Sequence, residues 1–167
     1  TEFQPFLRHT GPSLSPFNAW VLVKGLETLA LRVERQSETA FRLARRAEAH
    51  GAVRRTLYPF LESHPQYELA HRQMVSGGTL LSLDLGSKAA AFAFLNALEI
   101  VDISNNLGDA KSLATHPATT THRALPEADR HAIGIGDGLV RLSIGLESEA
   151  ALGRDIDRAL DAARAAS

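Results

Sequence analysis

The apolar residues of this chain follow helical spacing in some segments and strand-like alternation in others. Between Thr79 and Leu85 leucines recur at alternate positions, which predicts a strand with one buried face. Ser87 then precedes apolar residues three and four positions apart, which predicts a helix that runs to about Leu98. With a short apolar strand at Ile100–Ile103 the order is strand, helix, strand, which favours a right-handed parallel crossover.

Further elements are predicted in the part of the chain that begins near Gly51. They are a strand at Val53–Tyr58, a short helix from Pro65 to Arg72, a short helix opened by Pro126, a strand at Leu139–Leu146 and a last helix capped by Ser148. Together these elements predict an α/β (α+β) two-layer domain with a mixed or mostly antiparallel sheet and helices on one face.

Two helices are predicted in residues 1–50. Ser15-Pro16 is a helix start, and the helix that continues to about Arg32 carries large apolar residues around nearly its whole circumference. Such a helix has to be covered on more than one side, so we infer a missing neighbour, either another domain or another subunit. A second helix at Glu34–His50 has one buried stripe of Ala and Leu.

Composition narrows the class of protein. A hydrophobic content of 44%, a charged content of 22% and a net charge of −1 are those of a soluble globular protein without a strong attraction for nucleic acid or anionic membranes. The absence of cysteine excludes disulfides, a thiolate metal site and a Cys nucleophile, and it fits a cytoplasmic protein. The chain begins TEFQPFLRH without Met, so we expect a processed chain or a piece of a longer one.

The most polar stretch is Asn105–His122, which reads NNLGDAKSLATHPATTTH. It has few large apolar residues, and we predict a long functional loop that is too polar for the core. The hydroxyls of Ser112 and Thr119–Thr121 and the loop amides suit an anion. Ordinary turn chemistry, in which such side chains bind their own backbone, is the simpler interpretation of this composition.

Arg141 lies in the middle of the strand predicted at Leu139–Leu146. Alternation places it on the face opposite to Val140, Leu142 and Ile144. A guanidinium there suits bidentate binding of a carboxylate or phosphate. The alternative is a surface ion pair with an acid such as Asp137, and composition alone favours that alternative.

Other chemical motifs are not supported by the spacing. His116 and His122 are too far apart for a helical zinc pair, and no further ligand motif accompanies them, so no metal site is predicted. There is no G-x-S-x-G nucleophile elbow. The glycines within residues 134–138 neither follow a strand nor open a helix, so they are not a dinucleotide loop.

Four segments together resemble the C-terminal part of the cysteine/methionine-metabolism pyridoxal-phosphate enzymes. They are SPFNAW…KGLETLALRV, HRQMVSGGTLLSLDL, SNNLGDAKSLATHPATTTH and GDGLVRLSIGLES, and they cover essentially the whole chain in the family's order. The family includes cystathionine synthases and lyases, methionine lyase and homoserine-ester sulfhydrylases. The form NNLGDAKSL followed by THPATTTH is most similar to the sulfhydrylases.

The resemblance implies the C-terminal domain of a fold-type I enzyme with pyridoxal 5'-phosphate as cofactor. It places the Schiff-base lysine and the cofactor-binding residues upstream of Thr1, so none is expected in this chain, which alone should be inactive. The family's Schiff-base motif surrounds none of Lys24, Lys88 and Lys111. Residues 1–50 would end the cofactor domain and its connecting helices, and residues 51–167 would form the substrate-binding domain.

Two site residues carry over from the family. Arg141, in LVRLS, matches the arginine that grips the substrate α-carboxylate, and Ser112, in AKSL, matches the serine near the catalytic lysine and that carboxylate. Several cystathionine-forming relatives have an acid where this chain has Lys111. An acid suits a substrate with a distal ammonium group, so Lys111 favours sulfide as the second substrate.

The implied function is a step of methionine biosynthesis in which sulfide replaces the succinyl group of O-succinylhomoserine to give homocysteine. The alternatives are an acetyl ester, cystathionine γ-synthesis, methionine γ-lysis or, from a different class, a stand-alone non-catalytic ligand-binding domain. The resemblance also implies a cytoplasmic homotetramer. Its partners would be the amino-acid substrate and sulfide, with neither nucleic acid nor membrane.

Overall fold

The computed structural model describes residues 3–10 and 14–166. The chain divides into two compact units, Thr1–Leu31 and Arg32–Ser167. This division separates compact parts of the present chain. It does not test the boundary expected at residue 50 between two domains of a complete enzyme, which stays a prediction.

The first unit is helical. Helix α1 (Phe3–Thr10) was not indicated by the sequence pattern, whereas α2 (Pro16–Glu27) begins as predicted, with Ser15 Oγ accepting a hydrogen bond of 3.1 Å from the Asn18 amide. None of the described side chains of α2 is buried, and the exposed fraction of Trp20 is 56%.

The predicted break between the two N-terminal helices is wrong in position. Helix α2 ends at Glu27 with Thr28 as its C-cap, and α3 (Leu29–Glu48) continues through Arg32 and Glu34 without interruption. Neither proline nor an N-cap motif marks the true break. The nearly continuous apolar surface also hides it, because hydrophobic periodicity cannot locate an interruption in a helix that is apolar all round.

The second unit contains a mixed sheet, as predicted, and the sheet has five strands where the sequence indicated four. Its strands are β1 (Arg55–Leu57), β2 (Leu80–Asp84), β3 (Asp102–Ile103), β4 (Leu113–Thr115) and β5 (Leu139–Ser143). Their order in the sheet is β1-β2-β5-β4-β3. The β3–β4 pair is parallel, and the other pairs are antiparallel.

Four helices follow α3 in this unit, and a 3-10 turn at Pro117–Thr119 follows β4. The helices are α4 (Tyr67–Gln73), α5 (Lys88–Ala97), α6 (Glu127–Ala132) and α7 (Glu149–Ala165). The predicted crossover is β2–α5–β3, and its two strands run parallel. They are not neighbours, because β5 and β4 lie between them.

The core lies on the helix-covered face of the sheet. Leu81 and Leu83 of β2 and Val140 and Leu142 of β5 are buried with apolar residues of α3, α5 and α7. Burying one such side chain is worth about 1.5–3 kcal/mol relative to leaving it exposed. This cluster fixes the inward face of β5 and therefore the outward direction of the residue between Val140 and Leu142.

A buried carboxylate joins α7 to the turn before β3. Asp155 is 2% exposed and accepts hydrogen bonds from the amides of Glu99, Ile100 and Val101 at 2.9, 3.0 and 3.2 Å. Arg158 pairs with the same carboxylate. The charge of Asp155 is therefore compensated, and the turn has its amides satisfied.

The prediction that Asn105–His122 is one loop is wrong. Strand β4 lies inside it, and residues 112–118 are all buried. Its buried hydroxyl and imidazole groups are acceptable in the interior because they form hydrogen bonds with other groups of the protein, as described below. The strand predicted at Leu139–Leu146 is also shorter than expected, since it ends at Ser143 and Leu146 is exposed.

None of the helices in the described ranges combines the length and the apolar character that crossing a membrane requires.

Candidate functional site

Arg141 is at the middle of β5, the central strand of the sheet. Its neighbours Val140 and Leu142 are fully buried, while the Arg141 side chain is partly exposed. The strand register places Ser82 of β2 and Thr115 of β4 directly opposite Arg141. The arginine therefore stands on the face away from the apolar core, between two hydroxyl-bearing residues.

Two backbone carbonyls hold the Arg141 guanidinium. Nη2 donates to the carbonyl oxygens of Asn105, at 2.9 Å, and Asn106, at 3.4 Å. No acceptor within residues 3–10 and 14–166 takes a hydrogen bond from Nε or Nη1. Nη2 is thus held by protein, while the Nη1 hydrogens and the Nε hydrogen stay available for a carboxylate or phosphate.

The ion pair considered for Arg141 and Asp137 is not formed. Asp137 Oδ1 instead accepts from Arg130 Nη2 at 3.1 Å. No other carboxylate of the described chain pairs with Arg141. The positive charge of Arg141 is therefore not neutralised by a protein acid, which favours an anionic ligand over a structural ion pair.

The segment Asn105–Ala110 forms a wall beside Arg141. Three hydrogen bonds tie it to the rest of the unit: Gly108 N to Ser143 Oγ at 2.9 Å, Gln36 Nε2 to Asp109 O at 2.7 Å, and Leu146 N to Ala110 O at 2.7 Å. Gly108 has a φ of 76°, which a residue with a side chain rarely adopts. These bonds hold the wall after the carbonyls that bind Arg141, and before them Ser104 N donates to the Ala114 carbonyl oxygen at 2.9 Å.

Ser112, the second predicted site residue, is 1% exposed. Its amide donates to Glu147 Oε1 at 2.6 Å, its hydroxyl donates to Glu147 Oε2 at 2.8 Å, and Oγ accepts from Gly145 N at 2.8 Å. A serine hydroxyl has one proton and two lone pairs. In this arrangement Oγ can accept one more hydrogen bond, but it has no proton left for a carboxylate.

The structure does not bring Ser112 and Arg141 into contact. The register opposes Leu113, the residue after Ser112, with Ser143, two positions beyond Arg141. A Cβ added to Gly145 would lie 2.4 Å from the carbonyl carbon of Lys111. Glycine is therefore required here, where the segment after β5 lies against the backbone of Lys111. The roles of Ser112 and Arg141 towards a substrate both stay predictions, and of the two only Arg141 has donors without an acceptor among the described residues.

The lysines of this chain do not fit the attachment of an aldehyde cofactor. Lys24 pairs with Glu27 at 3.0 Å, and Lys88 lies 5.6 Å from the centre of the Phe92 ring. The hydrogen bond and charge of Asp102 raise the pKa of exposed Lys111 above its usual value. An attacking amine must be neutral, so a raised pKa opposes this role.

His116 is a buried histidine with structural partners. Its Nδ1 lies 2.9 Å from Thr119 Oγ1 and its Nε2 lies 2.8 Å from the Asp137 carbonyl oxygen. The Phe92 ring meets it edge-on, with 5.2 Å between centroids. Both ring nitrogens are therefore used within the protein.

Three exposed side chains bring possible metal-ligand atoms within 4.8 Å of one another: Glu127, His131 and Asp137. The Asp137 carboxylate is already bound to Arg130. Exposed acidic groups commonly lie this close without a metal, so the group does not identify a metal site.

Sequence reasoning missed three residues that organise this region. Asn105 supplies a carbonyl to Arg141, Glu147 holds Ser112, and Thr115 lies opposite Arg141. The register between β4 and β5 would have indicated Thr115, but β4 was hidden in a stretch predicted as loop. Glu147 carried no signal beyond its place just before the last helix.

The mixed sheet carries on its central strand an arginine with donors that have no acceptor among the described residues, which suits a small anionic ligand. Residues 1–161 match the family model for Cys/Met metabolism PLP-dependent enzymes, so the chain belongs to this pyridoxal-phosphate-dependent family. The predicted family, fold and cofactor are thereby confirmed.

Two relatives that share one name are similar to this chain over most of its length. The chain is 56% identical over 162 residues to the O-succinylhomoserine sulfhydrylase of Mycobacterium tuberculosis, covering 94% of this chain and 40% of that protein. It is 47% identical to the enzyme of the same name from Pseudomonas aeruginosa, covering 96% and 40%. The chain thus spans about 40% of the length of these curated relatives.

Solved structures share the fold. The cystathionine gamma synthase from Xanthomonas oryzae pv. oryzae, in complex with aminoacrylate and cysteine, superposes with a TM-score of 0.87 and 38% identity. The match covers 95% of this chain and 41% of that chain. Family members with different names therefore share this domain.

Proposed function

We propose that this chain is the substrate-binding part of a sulfhydrylase that replaces the succinyl group of O-succinylhomoserine with sulfide to give homocysteine, a γ-replacement (transferase) reaction of methionine biosynthesis. The 56% and 47% identities to two proteins of that name support the choice of substrate. The proposal assigns attachment of the cofactor to a part of the complete enzyme outside this chain, because none of the lysines described above fits that role.

Arg141 is the observation that carries the proposal. Its Nη1 group has no acceptor among the described residues and can donate to an amino-acid α-carboxylate, while Nη2 is held by the carbonyls of Asn105 and Asn106. Pyridoxal phosphate, when bound, supplies an electron sink. The share of this chain is to hold the carboxylate so that the reacting bonds of the substrate have one orientation.

Lys111 supports sulfide over a larger acceptor with a distal ammonium group. Its pKa is raised by Asp102, so it stays positively charged at neutral pH. A like charge at this position disfavours the ammonium end of a cystathionine-like molecule, whereas sulfide has no such group. Lys111 is exposed and its charge is partly offset by the Asp102 carboxylate, so this preference is modest and falls with salt.

The complete enzyme is proposed to be a cytoplasmic homotetramer, an expectation that comes from the family resemblance. The exposed apolar side chains of α2 offer a surface for another domain or subunit. A stand-alone ligand-binding domain is the competing proposal from a different class, and family membership disfavours it.

Substrate competition in the complete enzyme tests the proposed function. O-succinylhomoserine or O-acetylhomoserine is supplied with sulfide or cysteine, and homocysteine and cystathionine are quantified. We expect the highest kcat/KM for O-succinylhomoserine with sulfide. Preferred formation of cystathionine, a preference for the acetyl ester, or cleavage of methionine without an acceptor would each replace the proposal by another activity of the family.

A further inference from the structure

Thr115 and Arg141 are direct cross-strand partners in the β4–β5 pair. Partners of this kind project from the same face, with Cβ atoms about 4.5–5.5 Å apart. Thr115 is 1% exposed and Arg141 is partly exposed, so the threonine lies under the arginine at the base of the wall formed by Asn105–Ala110.

Asn105 connects the two residues. Thr115 Oγ1 donates to Asn105 Oδ1 at 2.9 Å, and the Asn105 carbonyl oxygen accepts from Arg141 Nη2 at 2.9 Å. The Asn105 side chain is otherwise exposed. The bond from Thr115 therefore fixes the residue whose backbone fixes Arg141.

We propose that Thr115 is a positioning residue for Arg141 and acts through Asn105. The inference rests on the proposed function, because it assigns Thr115 to the binding of the substrate carboxylate. Thr115 does not touch the ligand itself; it fixes the residue that holds Nη2 and so sets the direction of the guanidinium.

The surroundings of Thr115 make its hydroxyl a rigid support. Thr115 Oγ1 lies 3.0 Å from Thr120 Oγ1, and Thr120 Oγ1 donates to the His116 carbonyl oxygen at 2.8 Å. Both ring nitrogens of His116 are in turn bound, as described above. Each hydroxyl has one proton, and those of Thr120 and Thr115 go to His116 and Asn105, so the two hydroxyls are only in contact. The hydrogen bond that acts on Asn105 is the one from Thr115.

A buried threonine is not in itself a sign of function, and the chain offers a matched control. Thr56 on β1 is 5% exposed, and its Oγ1 has no hydrogen-bond partner. Thr115→Val and Thr56→Val remove the same hydroxyl from two buried strand positions. Only the first removes a bond that leads to Arg141.

The test measures steady-state kinetics of the complete enzyme with O-succinylhomoserine and sulfide. Thr115→Val should raise the KM for O-succinylhomoserine roughly three- to tenfold, the loss typical of one hydrogen bond. Its kcat and the KM for sulfide should stay close to wild type. Thr115→Ser keeps the hydroxyl and should restore the KM, and Thr56→Val should leave it unchanged.

A double-mutant cycle shows whether Thr115 acts through Arg141. In an Arg141→Ala background, Thr115→Val should add little, because the group that it positions is gone. Asn105→Ala provides a second route at an exposed position if Thr115→Val does not fold, and it should raise the same KM.

The positioning role of Thr115 and the proposed function of the enzyme would be contradicted by different results. A wild-type KM in Thr115→Val and in Asn105→Ala, with Arg141→Ala impaired, would overturn the positioning role and leave the proposed function intact. Effects of Thr115→Val and Arg141→Ala that simply add would show a structural role and also overturn it. Wild-type kcat/KM in Arg141→Ala would overturn the proposed function itself.

Discussion

Glu147 accepts two hydrogen bonds from Ser112, one from the backbone amide at 2.6 Å and one from the hydroxyl at 2.8 Å. This pair closes the connection between the start of β4 and the end of β5. It also directs the serine proton away from any ligand. The serine expected to contact substrate is thus held mainly by a neighbouring acid.

Replacing Glu147 tests its two hydrogen bonds with Ser112. Glu147→Gln puts an amide NH₂ where Ser112 needs an acceptor, so we expect a loss of about 1–3 kcal/mol in unfolding free energy. Chemical denaturation of the chain measures it. Glu149→Gln is the control, since Glu149 pairs with exposed Arg42 at 2.6 Å, and a surface pair contributes at most about 1 kcal/mol. Equal losses in the two variants would contradict the assignment.

Arg141 should be the most sensitive residue of the site. In the complete enzyme Arg141→Ala removes a charge-assisted hydrogen-bonded contact of about 3 kcal/mol, so kcat/KM should fall roughly 100-fold. Arg141→Lys keeps the charge but loses the planar fork, and we expect a fall of about tenfold. Steady-state kinetics check both variants against Arg42→Ala, whose surface ion pair has no part in the site. An unchanged efficiency in Arg141→Ala would exclude the carboxylate role.

The chain by itself should not hold pyridoxal phosphate covalently and should not turn over O-succinylhomoserine with sulfide. The ammonium of Lys111 is stabilised by Asp102, and Lys24 is paired with Glu27. After incubation with stoichiometric pyridoxal phosphate and borohydride reduction, intact-mass spectrometry should show mainly unmodified chain. One fully occupied adduct on Lys24, Lys88 or Lys111 would contradict this expectation.

Ionisation of Tyr58 should make the stability of the folded protein depend on pH in the alkaline range. Burial raises its pKa to about 12, above the usual 10.0, because the charged phenolate is poorly solvated. Its hydroxyl lies 3.0 Å from the Gly78 carbonyl oxygen. The folded state thus favours the neutral form, and this contribution to stability is complete below pH 10 and declines as pH rises from 10 towards 12.

Ultraviolet absorbance during alkaline titration measures this ionisation. One of the two tyrosines should ionise with a pKa near 12, and Tyr58→Phe should abolish that transition. Denaturation midpoints of the wild type should decrease above pH 10 more steeply than those of Tyr58→Phe. Ionisation of Tyr58 near pH 10 in the folded protein would mean that it is solvated.

The sequence predicted those elements whose side chains alternate over several residues. Leu81 and Leu83 marked β2, and Val140 and Leu142 fixed the outward direction of Arg141. Strand β4 has only three residues, and its polarity suggested a loop. Its burial depends on bonds such as Thr115 to Asn105, which form between residues ten apart and leave no local pattern.

The backbone amides that donate to Asp155 could not be predicted from the sequence for a similar reason. An acid on the apolar side of a helix conflicts with hydrophobic periodicity. Asp155 is acceptable there because three amides around Ile100, more than fifty residues earlier in the chain, converge on it. Tertiary contacts of this kind decide which polar residues are buried, and they are set by the completed fold.

The central place of β5 has a consequence for biosynthesis. Without Leu139–Ser143 the sheet consists of two unconnected pairs, β1–β2 and β4–β3. Because a ribosome releases the N-terminal residues first, the two pairs stay unconnected until residues 139–143 have been made. The last strand to be synthesised therefore joins the sheet across long sequence separations, which slows folding. It also brings Arg141 to the carbonyl oxygens of Asn105 and Asn106, so the proposed anion-binding site becomes complete only when β5 has joined the sheet.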